Sequence, residues 1–394
     1  MNNDVKTRPT RVNSIDVMRS LTMLLMLFVN DIPGTKNVPQ WLFHAAHNED
    51  MMGFSDTIFP AFLFCVGLSV PFALGARLRR GDSQFSVLSH VLWRTFALVT
   101  MGLFTLNGDE GAGNIPHIWF SLLMVLGFFL VWTDYKGLHL RLPGWAVTSL
   151  RTAGGLLLAA IVVYCDVAGK PFHTGWWGIL GLIGWSYMVC ALTWLVCRGR
   201  LGAVLLAWGV SVAFCLLSQS SLLPHSWFLR NILLPWLPGG WTGHALCISG
   251  MAASMLMTLF VQRGQALRLT GLFVAIGLLM LCLGLWAHHY WIISKIQATP
   301  TWLFFCLAIY FPLLVLIHWL VGQRRLWLIA PAGTATLTCY LLPYIWYPLR
   351  WQVDWHLPWS WYNGLSGLLL SLFFALMVIQ VVRLMQRVGW TIRI

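Results

Sequence analysis

Twelve apolar runs, each about 17 to 22 residues long, follow one another along a chain of 394 residues, and no polar stretch between them is long enough to fold alone. They fall near 15–31, 57–76, 87–106, 116–132, 145–165, 176–196, 201–217, 243–261, 269–287, 302–321, 326–347 and 365–382. Each is close to the roughly 20 residues with which a helix crosses a hydrocarbon core. Helices are the natural occupants, because in lipid a helix satisfies its own backbone hydrogen bonds. Hydrophobic residues make up 58% of the chain and charged residues 9%, against about a quarter in an ordinary soluble domain. The expectation is an all-α integral membrane protein, a polytopic bundle of about 11–12 transmembrane helices, forming one domain over 1–394 with a polar tail at 1–14. An irregular helix is expected at 87–106 or at 326–347.

Basic residues alternate between rich and poor loops in step with these runs. Twenty fall on one side, among them Lys6, Arg8, Arg11, Arg19, Arg77, Arg79, Arg80 and Arg94, and five fall on the other: Lys36, Lys170, Arg230, Lys295 and Arg350. The positive-inside rule then places both termini in the cytosol. Eight of the twelve acidic residues lie towards the opposite, outer side. The net charge of +13 is therefore a topological signal together with an affinity for anionic lipid, and nucleic acid is not an expected partner.

All nine cysteines sit in or beside apolar runs without a CxxC pair, which indicates neither a disulfide framework nor a zinc site. No metal is expected. A serine-nucleophile elbow, a Walker loop and a GxGxxG turn are absent.

Charged groups on membrane helices cost about 2.5 to 3.5 kcal/mol each on insertion scales, so those that persist are functional candidates. The first 70 residues are richest in them. Asp16 and Arg19 stand three apart on one face of the first span, where they can pair beside a cytosolic cavity. Asn30 and Asp31 close that span, and the loop at 32–56 carries His44, His47, Glu49, Asp50 and Asp56. Histidine suits base catalysis near neutral pH, and a nearby carboxylate fixes its tautomer.

The segments Arg11-Val-Asn-Ser-Ile-Asp-Val-Met-Arg19, Val29-Asn30, His44, Gly53-Phe-Ser-Asp-Thr-Ile-Phe-Pro60 and Phe62-Leu-Phe-Cys-Val-Gly-Leu-Ser69 appear in this order. Near the C-terminal end stands Pro331-Ala-Gly-Thr-Ala-Thr-Leu-Thr-Cys-Tyr-Leu-Leu-Pro-Tyr344. This ordered set resembles the heparan-alpha-glucosaminide N-acetyltransferase family and its bacterial relatives, in particular a branch known only as a domain of unknown function. The resemblance implies an acyltransferase that takes acetyl-coenzyme A from the cytosol as co-substrate and delivers the acetyl group to a glucosamine on the far side. It implies catalytic roles for His44 as base or acetyl carrier, Asn30 as its partner and Asp56 as helper. It also implies that Asp16 and Arg19 belong to the coenzyme site. Arg77, Arg79 and Arg80 are plausible phosphate neighbours, since arginine makes bidentate phosphate contacts.

The chain departs from the family pattern at Arg19-Ser20, where relatives have Arg-Gly, and at Pro238-Gly239-Gly240, which lacks a carboxylate. The loop His44-Ala-Ala-His-Asn-Glu-Asp-Met-Met-Gly53 is longer than its counterpart, and it makes His47 a competing base. The short tail, without the luminal domain of lysosomal members, points to a bacterial inner membrane. Expected partners are a small-molecule or glycan acceptor, membrane lipids and, by analogy, a second copy in a homodimer. O-acetylation of a polysaccharide hydroxyl is a rival reading, as is a transporter or flippase for a saccharide or lipid-linked sugar. Against transport, no repeated halves with paired broken helices are visible.

Overall fold

The computed structural model describes residues 13–111, 115–139, 142–220, 240–321, 326–354 and 357–394. Lys6, Arg8 and Arg11, most of the tail at 1–14, Arg230 and Pro238-Gly239 lie outside the described residues.

Each apolar run carries helix. The elements are α1 (Asn13–Asp31), α2 (Ile58–Arg79), α3 (Gln84–Asp109), α4 (His117–Trp132), α5 (Gly144–Val167), α6 (Gly178–Val196), α7 (Leu201–Gln219), α8 (Gly240–Gln262), α9 (Ala266–His288) and α10 (Pro300–Val321). Three short helices follow, α11 (Ala330–Thr334), α12 (Thr336–Leu341) and α13 (Pro343–Gln352), and α14 (Gly364–Val388) closes the chain. Among the described residues nine helices are long and apolar enough to cross a membrane, and there are isolated β-bridges but no strand ladder. The protein is an all-α, polytopic integral membrane protein.

Of the two places where irregularity was expected, 87–106 forms the continuous helix α3, capped by Ser83 through a bond from the Ser86 amide (3.1 Å). The break falls at 326–347. Ala335 leaves the helical region (φ −129°, ψ 49°), and Pro343 has no amide hydrogen to continue the ladder. The apolar run therefore becomes three pieces instead of a single span: α11 and α12 pack against α1 and α14, and α13 packs against α4.

Of the long apolar helices α2, α8 and α10 are the most buried, and α2 packs against α8, α1 and α6. The α2–α8 contact is backbone to backbone: a Cβ at Gly67 would stand 1.7 Å from the Cys247 carbonyl oxygen, and one at Gly250 would stand 2.0 Å from that of Phe64. Close approach through small residues is how membrane helices associate where no hydrophobic force drives them together. In contrast, α5 and α7 leave most of their apolar surface open to lipid.

Two cavities lie within this frame. One, of about 790 Å³, opens at the end that holds Asp16, Arg19, Arg79, Arg94 and Arg393. The other, of about 920 Å³, holds Asn30, His44 and Lys295. Met26, past the middle of α1 towards its C-terminal end, lines both.

Candidate active site

Asp56 is the fixed point of the second cavity. It sits in a 3-10 turn, Phe54–Thr57, at the start of α2, with its side chain only 2% exposed. One carboxylate oxygen, Oδ2, accepts the amides of Ala45 (2.9 Å) and Gly53 (3.2 Å). The other, Oδ1, accepts from His44 Nδ1 (2.7 Å) and from the ammonium of Lys295 (3.2 Å). The turn is held from behind by Trp302 Nε1, which donates to the Asp56 carbonyl (3.2 Å), and by the Tyr310 hydroxyl, which donates to that of Thr57 (2.5 Å). Glycine is required at 53, since a Cβ there would stand 1.8 Å from the Phe43 carbonyl oxygen.

His44 is the exposed member, with 43% of its side chain open and its ring on the cavity wall. The tautomer with its proton on Nδ1 donates it to the Asp56 carboxylate across this 2.7 Å contact. Among the described residues no hydrogen bond engages Nε2, and in that tautomer its lone pair is available for chemistry in the cavity. Lys295 Nζ stands 2.9 Å from His44 Nδ1. Burial pushes the proton affinity of Lys295 below its ordinary value, and Asp56 opposes that shift. Asp56, His44 and Lys295 thus form one charge-coupled cluster.

The loop carrying His44 is tied to the α9–α10 connection. Asp50 accepts from the Ile293 amide (2.8 Å) and pairs with His288 (2.8 Å), and Gln297 Nε2 donates to the His47 carbonyl (2.9 Å). The Ile293 amide, followed by His288, holds the Asp50 carboxyl below the usual carboxylate range. These ties carry Lys295 to His44 across 251 residues of sequence. Lys295 is the member that sequence reasoning missed: in a loop, one lysine looks like any solvated cation.

Of the other residues singled out from the sequence, Asn30 lines the same cavity as His44. His47 does not; its ring contacts Asn48 Oδ1 (2.6 Å) on the exposed side of the loop. Thr174, Trp176 and Trp177, from the connection before α6, line the same cavity, and Trp176 is half exposed.

In the first cavity Asp16 and Arg19 pair (3.1 Å), and Arg79 joins them on the wall. Arg77 is turned to Asp82 (3.2 Å), and neither it nor Arg80 lines the cavity. Arg94 of α3 does, with its guanidinium 4.7 Å from the Tyr187 ring. Among the described residues no group of three or more His, Cys, Asp or Glu is placed to share a metal ion.

Comparison with known proteins bears on this arrangement. The family described as a domain of unknown function, DUF5009, matches residues 11–248. The human heparan-alpha-glucosaminide N-acetyltransferase is 35% identical over 108 residues, which is 27% of this chain and 15% of that protein. Its mouse counterpart is 31% identical over 111 residues, 28% of this chain and 16% of that protein. The match therefore spans only about a sixth of the length of these curated relatives. With more than half of its length matched, the chain belongs to the DUF5009 family, and it is a relative of the heparan-alpha-glucosaminide N-acetyltransferases.

Proposed function

We propose that this protein is a transmembrane acetyltransferase that takes an acetyl group from acetyl-coenzyme A in the arginine-lined cavity and delivers it to a saccharide in the His44 cavity. The observation that carries this reading is the pair of cavities at opposite ends of α1, both lined by Met26. A donor with a long, narrow arm entering at one end can place its thioester beside a base at the other. By the positive-inside rule the arginine end is cytosolic and the His44 end is outside, which in a bacterium is the outer face of the inner membrane. The unit spans 1–394, with the loop at 32–56 as its catalytic segment.

An amino sugar is the favoured acceptor. Its nitrogen bonds to the acetyl carbon, the C–S bond breaks, and the proton lost by nitrogen passes to His44 Nε2 and from there to the departing thiolate or to water. Asp56 holds the tautomer that leaves Nε2 unprotonated and stabilises the imidazolium that forms. Asn30 supplies a hydrogen-bond donor for the oxyanion on the acetyl carbonyl. In the two-step variant Nε2 itself carries the acetyl group, with the same residues in the same places. Lys295 disfavours an ammonium beside His44, so the acceptor arrives there as the free amine that can attack. Trp176 and Trp177 offer flat apolar faces against which a sugar ring packs. Membrane lipid surrounds the bundle, and a homodimer would be consistent with the lipid-facing helices α5 and α7.

The test is transfer from radiolabelled acetyl-coenzyme A to glucosamine by purified protein in detergent. N-acetyl product from the unmodified protein alone, and none from His44→Ala, supports the reading. Absence of both product and coenzyme binding contradicts it.

A further inference from the structure

The arginines at the cytosolic end are not equivalent. Arg19 pairs with Asp16 (3.1 Å), Arg77 with Asp82 (3.2 Å) and Arg393 with Asp134 (3.1 Å). Arg79 and Arg94 both line the cavity, and among the described residues no carboxylate pairs with either. Around the cavity wall the side chains bring four arginines against two aspartates, and both aspartates are already taken by Arg19 and Arg393.

Arg94 is the costly member of this pair. It lies ten residues into α3, roughly 15 Å along the helix axis from Gln84, so its charge is well inside the bundle. Its Nε is buried and lacks a hydrogen-bond partner among the described residues. Packing over the Tyr187 ring, with a hydrogen bond to that side chain, engages part of the guanidinium and leaves the rest of its five N–H donors for something else. A cation at such depth without an acidic partner is a functional feature by default. A cavity of about 790 Å³ is also of the size that holds a small molecule or cofactor.

We propose that Arg79 and Arg94 are the phosphate-binding pair of this cavity, and that the ligand completes the ion pairs the protein leaves open. Two guanidinium forks facing one space suit phosphate oxygens, which accept bidentate bonds from each. The assignment of that phosphate to acetyl-coenzyme A rests on the function proposed above. It brings in Arg94, which the sequence hides among twenty similar charges, and it leaves out Arg77 and Arg80, which hold no part of the wall. The phosphate could otherwise come from an anionic lipid headgroup, whose chemistry is the same.

The experiment splits the coenzyme into halves. Full-length protein in phosphatidylcholine nanodiscs is titrated with 3′-phosphoadenosine 5′-diphosphate, which has the phosphates and no arm. Turnover is followed with acetylpantetheine, which has the arm and no nucleotide. Arg94→Gln and Arg79→Gln should each weaken the nucleotide half on the order of tenfold or more, while acetylpantetheine turnover is unchanged and shows that the variants are folded. Arg80→Gln should bind the nucleotide as the unmodified protein does. Equal nucleotide binding by all forms, or equal loss of both halves in the two variants, overturns the proposal. Repeating the titration with phosphatidylglycerol in the disc separates the sources: arginine-dependent retention of that lipid without nucleotide binding overturns the coenzyme as the ligand. Arginine-dependent nucleotide binding without any acetyl transfer upholds the phosphate pair and counts against the acetyltransferase reading.

Discussion

The two ends of α1 face cavities of similar size and opposite design. At the His44 end the ionisable groups hold one another: Asp56 is fixed by two amides, an imidazole and an ammonium, and the loop that carries His44 is tied down by Asp50, His288 and Gln297. At the arginine end two of the four cations on the wall lack an acidic partner among the described residues. A closed network costs no reorganisation when charge develops on a reacting group, which is what catalysis needs. An open set of cations is suited to release as well as capture, because binding supplies the missing counter-charge. That contrast supports the proposed division, with chemistry at one end and donor binding at the other.

The contrast is sharpened most by removing groups from the closed end. His44→Ala should lower acetyl transfer by about 10²–10⁴-fold, the usual worth of a positioned base, with an unchanged size-exclusion profile in detergent. Asn30→Ala should lower kcat by about 10²–10³-fold and leave coenzyme binding as it was, which separates it from any arginine at the other end. Lys295→Met removes the ammonium beside Asp56, whose side chain is 2% exposed. It should lower the midpoint of thermal unfolding, by an amount corresponding to roughly 1–3 kcal/mol, and reduce transfer along with it. Transfer and stability untouched by Lys295→Met would mean that the closed network does not include it.

Packing gives a further test between the two cavities. Gly67→Ala would press a methyl group against the Cys247 carbonyl and force α2 away from α8, at a cost of about 1–3 kcal/mol that a thermal melt would register. The smallest effect is one of pH. The Asp50 carboxyl is held below its ordinary value of 3.8, so the tie to Ile293 and His288 contributes fully above that pH and is lost only as the pH falls through the lowered value. Asp50→Asn should remove this acid-side dependence from a melting curve taken against pH, because the small contribution of the tie is then missing near neutrality as well as in acid.

Much of this was legible in the sequence, and the rest was hidden for physical reasons. Lipid demands an apolar stretch of one length, so all twelve runs could be placed from hydropathy alone. Hydropathy does not see backbone breaks, and the run at 326–347 became α11, α12 and α13 because of Ala335 and Pro343. At the site, His44, Asn30 and Asp56 were singled out by a family resemblance whose motifs lie close together in the chain. Lys295 reaches them only through a loop docked from the far end of α9, a contact that no local pattern encodes. Arg94 was one arginine among many until its depth in α3 and its lack of an acidic partner among the described residues set it apart.

The central claim is that one chain joins a cytosolic donor to an acceptor on the opposite side. The direct measurement places the protein in liposomes sorted so that the arginine end faces out, with labelled acetyl-coenzyme A outside and glucosamine sealed inside. The account predicts labelled N-acetylglucosamine in the lumen with the unmodified protein and none with His44→Ala. Labelled product that forms only when donor and acceptor share one compartment would contradict it.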